Sequence, residues 1–166
     1  MIIAPVNFRD EELLEPKDVL ENNNIEVTVA SKDADSATGM LGAMVTVDMD
    51  YKDIKVEDYD GIVFVGGSGA SIYFDDEIAQ GLAKSFFEQG KVVSAICIAP
   101  STLAHAGLLK DKKATCFGSQ EEDLVEHGAE YTGEPVTTDG KIVTANGPQA
   151  ATEFGQAITK SLNKTS

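Results

Sequence analysis

The stretch Val92-Val93-Ser94-Ala95-Ile96-Cys97-Ile98-Ala99-Pro100 decides the fold of this chain. Its small and apolar first half predicts a buried β-strand, and Pro100 suits the first turn of a helix, where its missing N–H costs no hydrogen bond. Cys97 lies between the two, on a sharp turn that displays a side chain at the edge of a sheet. The alternative is that Cys97 is a small buried apolar residue, as free cysteines usually are. Because the helix dipole points at the sulfur, we expect a lowered thiol pKa and a reactive cysteine.

Composition is typical of a soluble globular protein, and residues 1–166 are expected to form one domain. No run of about 18 apolar residues and no basic segment ahead of an apolar one is present, so neither a membrane span nor a signal peptide is predicted. The net charge of −15 repels nucleic acids and anionic membranes, and neither is an expected partner. Two cysteines without metal-site or CxxC spacing argue against a disulfide scaffold or a metal site, and they suit a reducing cytosol.

Strand patterns alternate with helix patterns along the chain. Strands are predicted at residues 1–6, 25–30, 61–65, 92–96 and 113–117, and hairpins at 38–48 and around Asp139-Gly140. Helices are predicted up to about residue 23, from a cap at Asp75 to Gly90, after Pro100, from a capping box at Ser119 and Glu122 to His127, and over 149–162. Repeated βαβ order predicts an α/β fold with a mostly parallel sheet and helices on both faces.

Ligands of such sheets bind beyond the carboxyl ends of the strands, where three loops of this chain are expected to meet. One carries Cys97, another is Gly66-Gly67-Ser68-Gly69, and the third is Phe8-Arg9-Asp10-Glu11-Glu12. The glycine loop lacks the residues of a phosphate-binding motif, and a tight turn explains most of it. Glycines also let a backbone N–H approach a reacting oxygen, and with the N–H of Ile98 this would form an oxyanion hole. The three acids suit a first helical turn through the dipole alone, or one of them turns inward to the sulfur.

Five segments resemble the ThiJ/PfpI superfamily. They are the acidic first loop that ends at Pro16 (residues 8–16), the strand that ends in Gly-Gly (62–67), the Ala-Ile-Cys-x-x-Pro elbow (95–100), and the later segments 106–115 and 139–148. Their order and spacing cover nearly the whole chain. The resemblance implies a flavodoxin-like three-layer sandwich with a nucleophile elbow.

The same resemblance implies site residues and partners. Cys97 would be the nucleophile, Glu12 its carboxyl partner, and the backbone N–H groups of Gly67 and Ile98 the oxyanion donors. No cofactor and no metal is expected. A small carbonyl substrate or a glycated protein would be the partner, and the chain would form a homodimer or larger homo-oligomer in the cytoplasm.

Two departures from the family pattern bear on activity. The protease-like branch has a histidine directly after the cysteine, where this chain has Ile98. The deglycase-like branch has a histidine on the strand after the elbow helix, where this chain has Phe117. His105 and His127 are expected to be surface residues, so no general base is available for amide cleavage.

Two hypotheses about function therefore remain. In the first, Cys97 adds to an α-oxoaldehyde or its protein adduct, as in glyoxalase or deglycase chemistry, and Glu12 shuttles a proton. In the second, the protein is a redox sensor or chaperone whose Cys97 oxidises to a sulfinate held by protonated Glu12. An intracellular peptidase or amidase is disfavoured by the absent histidine. The pocket walls are assigned, as guesses, to Gly66, Tyr73, Phe117 and Asn146.

Overall fold

The computed structural model describes residues 1–164. Its strands are β1 (Ile2–Ile3), β2 (Val6–Phe8), β3 (Ala30–Ser31), β4 (Ser36–Gly39), β5 (Met44–Thr46), β6 (Met49–Asp50), β7 (Gly61–Phe64), β8 (Val92–Ile96), β9 (Lys113–Ala114), β10 (Glu130–Tyr131), β11 (Val136–Asp139) and β12 (Ile142–Ala145). Its α-helices are α1 (Asp10–Asn22), α2 (Glu77–Glu88), α3 (Pro100–His105), α4 (Glu121–Glu126) and α5 (Ala151–Asn163).

A seven-stranded sheet forms the centre of the molecule, in the order β11-β12-β8-β7-β1-β3-β6. Neighbouring strands are parallel except β11 and β12, which form the hairpin predicted around Asp139-Gly140. Every residue of β8 is buried, as its small and apolar sequence predicts. Since β12, β8, β7 and β1 run the same way, their carboxyl ends meet at one edge of the sheet.

Helices cover both faces of this sheet, so the predicted three-layer α/β sandwich is confirmed. Helices α1 and α5 pack against each other on one face, and α2, α3 and α4 contribute to the core on the other. Helices α1 and α5 approach closely because Gly155 of α5 has no side chain. A Cβ there would lie 2.9 Å from Pro16 Cα and 3.0 Å from Val19 Cβ. The close contact of α5 with α1 fixes the helix that carries the acidic loop residues.

A second, three-stranded sheet lies beside the first loop, in the order β2-β4-β5. It contains the hairpin predicted over residues 38–48. Asp10 fixes this hairpin to α1, because its carboxylate oxygens accept hydrogen bonds from the N–H groups of Leu41 (2.9 Å) and Ala43 (2.8 Å). Burial alone would raise the pKa of Asp10, but these two donors outweigh it and lower the pKa.

The predicted strand over 25–30 is mostly absent, since only its last residue pairs, in β3. The backbone before it is satisfied differently. Val29 N–H donates to the Asp48 carboxylate at 2.8 Å, and Thr28 C=O accepts from the amino terminus of Met1 at 2.7 Å. A side chain and a chain terminus therefore replace the ladder that a strand would need.

The predicted strand over 113–117 is also shorter, because the chain leaves β9 after Ala114 and turns towards the elbow. Thr115 N–H donates to the Thr144 hydroxyl, and Phe117 N–H donates to Cys97 C=O at 2.8 Å. Cys116 is therefore buried but lies outside a strand.

Two predicted helix caps are wrong. Asp76, not Asp75, accepts from Ala79 N–H and caps α2. The capping box of Ser119 with Glu122 does not form, because α4 begins at Glu121 after a short 3-10 turn.

Candidate functional site

Cys97 directly follows β8, on the strand-to-helix turn that its sequence predicts. Its backbone has φ of +66°, a left-handed conformation that is strained for a residue with a side chain. The turn is held from both sides: Cys97 N–H donates to Ala145 C=O at 2.9 Å, and Cys97 C=O accepts from Phe117. Cys97 is buried, with 8% of the residue exposed.

The glycine loop allows the sulfur and the acidic loop to approach each other. A Cβ at Gly66 would collide with a Glu12 carboxyl oxygen, with Cys97 Cβ at 2.5 Å and with Ile96 C=O at 2.7 Å. Gly67 has φ of +99°, and a side chain there would run into the backbone of residues 7–9. Only glycine fits either position. Both glycines were predicted from the sequence to lie at the site, and the structure shows the steric reason for them.

Glu12 is the acid that turns inward. It lies in the first turn of α1 and is fully buried. Neither carboxyl oxygen makes a hydrogen bond of good geometry with another described residue. Burial raises the pKa of Glu12 to about 8, although the Cys97 thiol, the Arg9 charge and the Gly66 N–H each pull it down. The carboxyl group is therefore protonated at neutral pH and ionises just above it.

The expected lowering of the Cys97 pKa is wrong. Burial and the Glu12 carboxyl raise the pKa of the Cys97 thiol to about 12, against the smaller opposite effect of the Gly67 and Ile98 N–H groups. These two N–H groups point at the sulfur, which is the geometry of the predicted oxyanion donors. Thiol and carboxyl form a coupled pair, in which an ionised Glu12 is well placed to accept the proton of Cys97.

Arg9 is a site residue that was not predicted from the sequence. It is the only arginine of the chain, and it caps the start of α1 with its N–H bonded to Gly66 C=O at 3.0 Å. Its guanidinium binds both oxygens of Glu11 at 2.9 and 3.0 Å, which raises the pKa of Arg9. Its charge also acts on Glu12 and Cys97. A lone arginine beside the acidic loop was the available signal.

The guessed pocket walls separate into two groups. Phe117 and Asn146 lie close to the elbow. The backbone N–H of Phe117 donates to Cys97 C=O, and Asn146 follows β12, whose last residue pairs with the last residue of β8. Phe117 is half exposed and its ring faces Gly147. Tyr73 lies elsewhere. Its ring is in the core, and its hydroxyl donates to Ile3 C=O at 2.8 Å, two strands away from β8.

Neither histidine replaces the absent base. His105 contacts Asp75 and Asp123 through its two ring nitrogens, and His127 bonds to the backbone of Asp123. Both side chains are partly exposed, and they lie near the end of α3 that is away from Cys97. Ile98, next to the cysteine, has no titratable group.

A cavity of about 480 Å³ opens at the opposite edge of the sheet. Gly61 and Val92, at the amino ends of β7 and β8, line it together with Met1 and Ile25. No cysteine or histidine is among the residues that line this cavity.

Comparison with known proteins agrees with this geometry. A family model described as the DJ-1/PfpI family matches residues 1–161. An uncharacterized protein of Methanocaldococcus jannaschii is 43% identical over 99% of this chain and 82% of its own length. A deglycase of Thermococcus kodakarensis is 33% identical over 89% of each chain. A glutathione-independent glyoxalase of Caenorhabditis elegans is 26% identical over 98% of this chain and 87% of its own.

Solved structures show the same fold. The crystal structure of a ThiJ/PfpI domain protein from Brachyspira murdochii superposes with a TM-score of 0.97. The two sequences are 34% identical, and the match covers 99% of this chain and 95% of the other. The resemblance noted from five sequence segments is thus confirmed over nearly the whole length. This chain belongs to the DJ-1/PfpI family.

Proposed function

We propose that the protein is a cysteine-dependent enzyme that acts on reactive carbonyl compounds, either free α-oxoaldehydes or their adducts on proteins. The observation that supports this most is the pairing of Cys97 with a buried, proton-carrying Glu12 beneath two backbone N–H groups. A deglycase and a glyoxalase among the relatives support the same chemistry. Cys97 and Glu12 would be its catalytic residues, and Gly67 and Ile98 its oxyanion donors.

The first step proposed is addition of the sulfur to the aldehyde carbon. The new S–C bond forms as the thiol proton passes to the Glu12 carboxylate, and the carbonyl electron pair moves to oxygen. The N–H groups of Gly67 and Ile98 stabilise that oxyanion until Glu12 returns the proton to it. The positive charge of Arg9 favours the ionised form of Glu12 that this step requires.

The second step proposed moves a hydrogen between the two carbons of an α-oxoaldehyde. Glu12 takes the proton from the sulfur-bearing carbon and delivers it to the neighbouring one, while the hydroxyl proton on the first carbon passes to the oxygen on the second. The first carbon is thereby oxidised to a thioester and the second reduced to an alcohol, so no external oxidant is needed. Water then cleaves the thioester, which releases a 2-hydroxy acid and restores the thiol.

The test is formation of lactate from methylglyoxal by purified protein. Cys97→Ala should abolish it, because no other described thiol lies at the elbow. Cys116→Ala is the matched control: it removes the other cysteine, which is 1% exposed and outside the site, and should retain most of the activity. Equal lactate formation by wild type and Cys97→Ala would exclude the proposal.

A redox role is the second candidate, and one observation favours it. Glu12 carries a proton at neutral pH and its oxygens have no strong partner among the described residues, so it can donate to an oxidised sulfur. Dilute peroxide should then stop at a Cys97 sulfinate, which mass spectrometry detects. Glu12→Leu removes the donor and should shift the products to other oxidation states. The same sulfinate yield in both proteins would exclude this role.

Peptide hydrolysis is not proposed. Ile98 and Phe117 stand where family branches place a base, and the two histidines contact aspartates instead. No cofactor takes part in the steps above.

The partner proposed besides the substrate is a second copy of the chain. Val6, Thr38 and Met44 lie opposite one another in the β2-β4-β5 sheet, and all three are exposed. Val6 is 60% and Met44 79% exposed, and Leu41 in the same hairpin is 64% exposed, which is an apolar surface suited to burial. Met44→Asp should convert a dimer into monomers in analytical ultracentrifugation. A wild type that sediments as a monomer would exclude the dimer.

A cytoplasmic location is proposed as well. Its support is that both cysteines are free in the structure, as expected in a reducing compartment. Across residues 1–164, the helices lack the length and apolar character needed to cross a bilayer. Fractionation of cells with an antibody to the protein would test the location.

A further inference from the structure

A cluster of metal-ligating side chains lies apart from Cys97, where α3 ends against α4. His105 is the last residue of α3, Asp123 lies in α4, and His127 follows α4 four residues after Asp123. The three side chains offer one ligand atom each, and these atoms all lie within 4.8 Å of one another. All three are partly exposed, so an ion can reach them from solvent.

His105 is oriented in the way that a metal-binding histidine requires. Its Nδ1 lies 2.7 Å from an Asp75 carboxylate oxygen, and its Nε2 lies 3.0 and 2.8 Å from the two oxygens of Asp123. A histidine ligand usually donates one ring N–H to a carboxylate, which leaves the other nitrogen for the ion. Asp75 can fill that role. A metal ion would then replace the proton now shared between Nε2 and Asp123.

His127 presents Nδ1 to Asp123, 3.5 Å from a carboxylate oxygen, so its ring must turn for Nε2 to reach the ion. Its Nδ1 lies 2.7 Å from the backbone oxygen of Asp123, and because a carbonyl only accepts, Nδ1 carries the hydrogen. The lone pair is therefore on Nε2. The rings of His105 and His127 stack with centroids 4.6 Å apart and planes 22° from parallel. Two imidazolium rings at this distance would repel each other, whereas two neutral rings on one cation would not.

We propose that His105, Asp123 and His127 bind a divalent transition-metal ion of the zinc class, with Asp75 holding His105 in position. Two imidazoles and one carboxylate are a donor set that suits Zn²⁺. Ligands about 2.0–2.2 Å from a tetrahedral ion lie roughly 3.3 Å from each other. His105 and Asp123 are already near that spacing. Rotation of the partly exposed side chains brings in His127.

The surroundings favour a cation. Glu121, Glu122 and Glu126 are exposed on the same short helix as Asp123, within a chain of net charge −15. Such a field raises the local concentration of cations. Cysteine spacing in the sequence predicts no metal site. It does not detect these histidine and aspartate ligands, because they come together only when α3 packs on α4.

The ion would connect three segments of the chain. It would bind α3 to α4 directly, and through Asp75 it would hold the loop that precedes α2. Since α3 begins just after the elbow, the ion would fix the far end of the helix whose start positions Cys97. Its expected effect is stabilisation of the fold, and it takes no part in the proposed carbonyl chemistry.

Zinc binding to the full-length, metal-stripped protein tests this proposal. Calorimetry with Zn²⁺ should show one ion per chain, and free Zn²⁺ at about 100 times Kd should raise Tm by roughly 5–10 °C. Because thiols also bind zinc, the titration is done in Cys97→Ala. Co²⁺ then serves as a second probe, since its visible spectrum distinguishes nitrogen and oxygen ligands from sulfur.

Substitutions locate the ion. His127→Gln changes a partly exposed residue and should abolish one-to-one binding, while Asp75→Ala should weaken it about 10–100-fold. Glu126→Gln removes a charge from the same helix without removing a ligand and should bind almost as wild type does. Circular dichroism confirms that each variant folds. Zinc affinity that is equal in Cys97→Ala and its His127→Gln derivative, or a Co²⁺ spectrum with sulfur ligation, would overturn the proposal.

Discussion

Carboxyl groups lie near both ends of α3, but they face different partners: a neutral thiol at one end and a histidine at the other. At its start, Glu12 is fully buried against a thiol that has no positive charge to offer. At its end, Asp75 and Asp123 flank His105 on a partly exposed surface. Burial raises the pKa of Glu12 to about 8. Burial alone would lower the pKa of His105, but the two carboxylates outweigh it and raise the pKa.

The difference shows what decides protonation in this molecule. Burial keeps the proton on Glu12 although the Arg9 charge opposes it, and a group with such a pKa is suited to proton transfer near neutral pH. The two carboxylates beside His105 favour positive charge at this position, which a proton or a metal ion can supply. The first end is therefore suited to moving protons and the second to holding a cation.

The largest expected effect is that of Glu12→Gln on carbonyl turnover. The amide keeps the size of the side chain but cannot accept the Cys97 proton, so kcat/KM should fall about 10²–10⁴-fold. In wild type, kcat/KM should also rise with pH and level off above about 8, as Glu12 ionises. The variant should lose that rise. A variant whose activity rises with pH as in wild type would show that another group titrates.

Gly66→Ala should be the next largest effect, this time on stability. The new methyl group would meet Glu12, Cys97 and the Ile96 carbonyl, so the free energy of unfolding should drop by about 1–3 kcal/mol or more. Gly81→Ala is the matched control. Gly81 lies in α2 with open space around it, and alanine there should stabilise by up to about 1 kcal/mol. Urea unfolding measures both, and equal effects of the two substitutions would contradict the steric account.

The sequence predicted the parts of this fold that depend on local pattern. The run from Val92 to Ile96, the elbow and the Asp139-Gly140 hairpin are confirmed because apolar continuity and turn residues determine them. The segments 25–30 and 113–117 have strand composition but mostly leave the ladder. Their hydrogen bonds go to Asp48, to the chain terminus and to Cys97, and no local pattern contains those partners.

The candidate site was predictable to a similar extent. Cys97 and the glycine loop were predicted from the strand-to-helix turn and the glycines themselves, and the resemblance to the family selected Glu12 among the three acids. The protonation state of Cys97 was not predicted correctly. The helix dipole favours a thiolate, but burial opposes it, and burial depends on tertiary packing. Tyr73 was misplaced for the same reason: an aromatic residue near the glycine loop in sequence turns into the core.

Glu12 should also make the stability of the fold depend on pH. Its ordinary pKa is 4.5 and its folded pKa about 8, so between these values the folded protein holds a proton that the unfolded chain releases. Stability therefore falls as pH rises through this window. Relative to Glu12→Gln, wild type should lose up to about 1.4 kcal/mol per pH unit between roughly pH 5 and 8. Urea unfolding across that range measures the difference, and a constant difference would contradict a raised pKa.

The smallest expected effect comes from His105→Gln, measured with a chelator present so that no metal contributes. The raised pKa of His105 means that its ion pairs are fully formed below its ordinary value of 6.5 and are lost as pH rises through the folded value. Because the Asp75 side chain is 86% exposed, the loss on substitution should stay below about 1 kcal/mol. The loss should be largest near pH 6 and shrink towards pH 9.

Lys17→Gln, which breaks the exposed pair with Glu21, is the control and should cost a similar or smaller amount at every pH in this range. A His105→Gln penalty that grows with pH would mean that the two carboxylates do not hold the proton of this histidine.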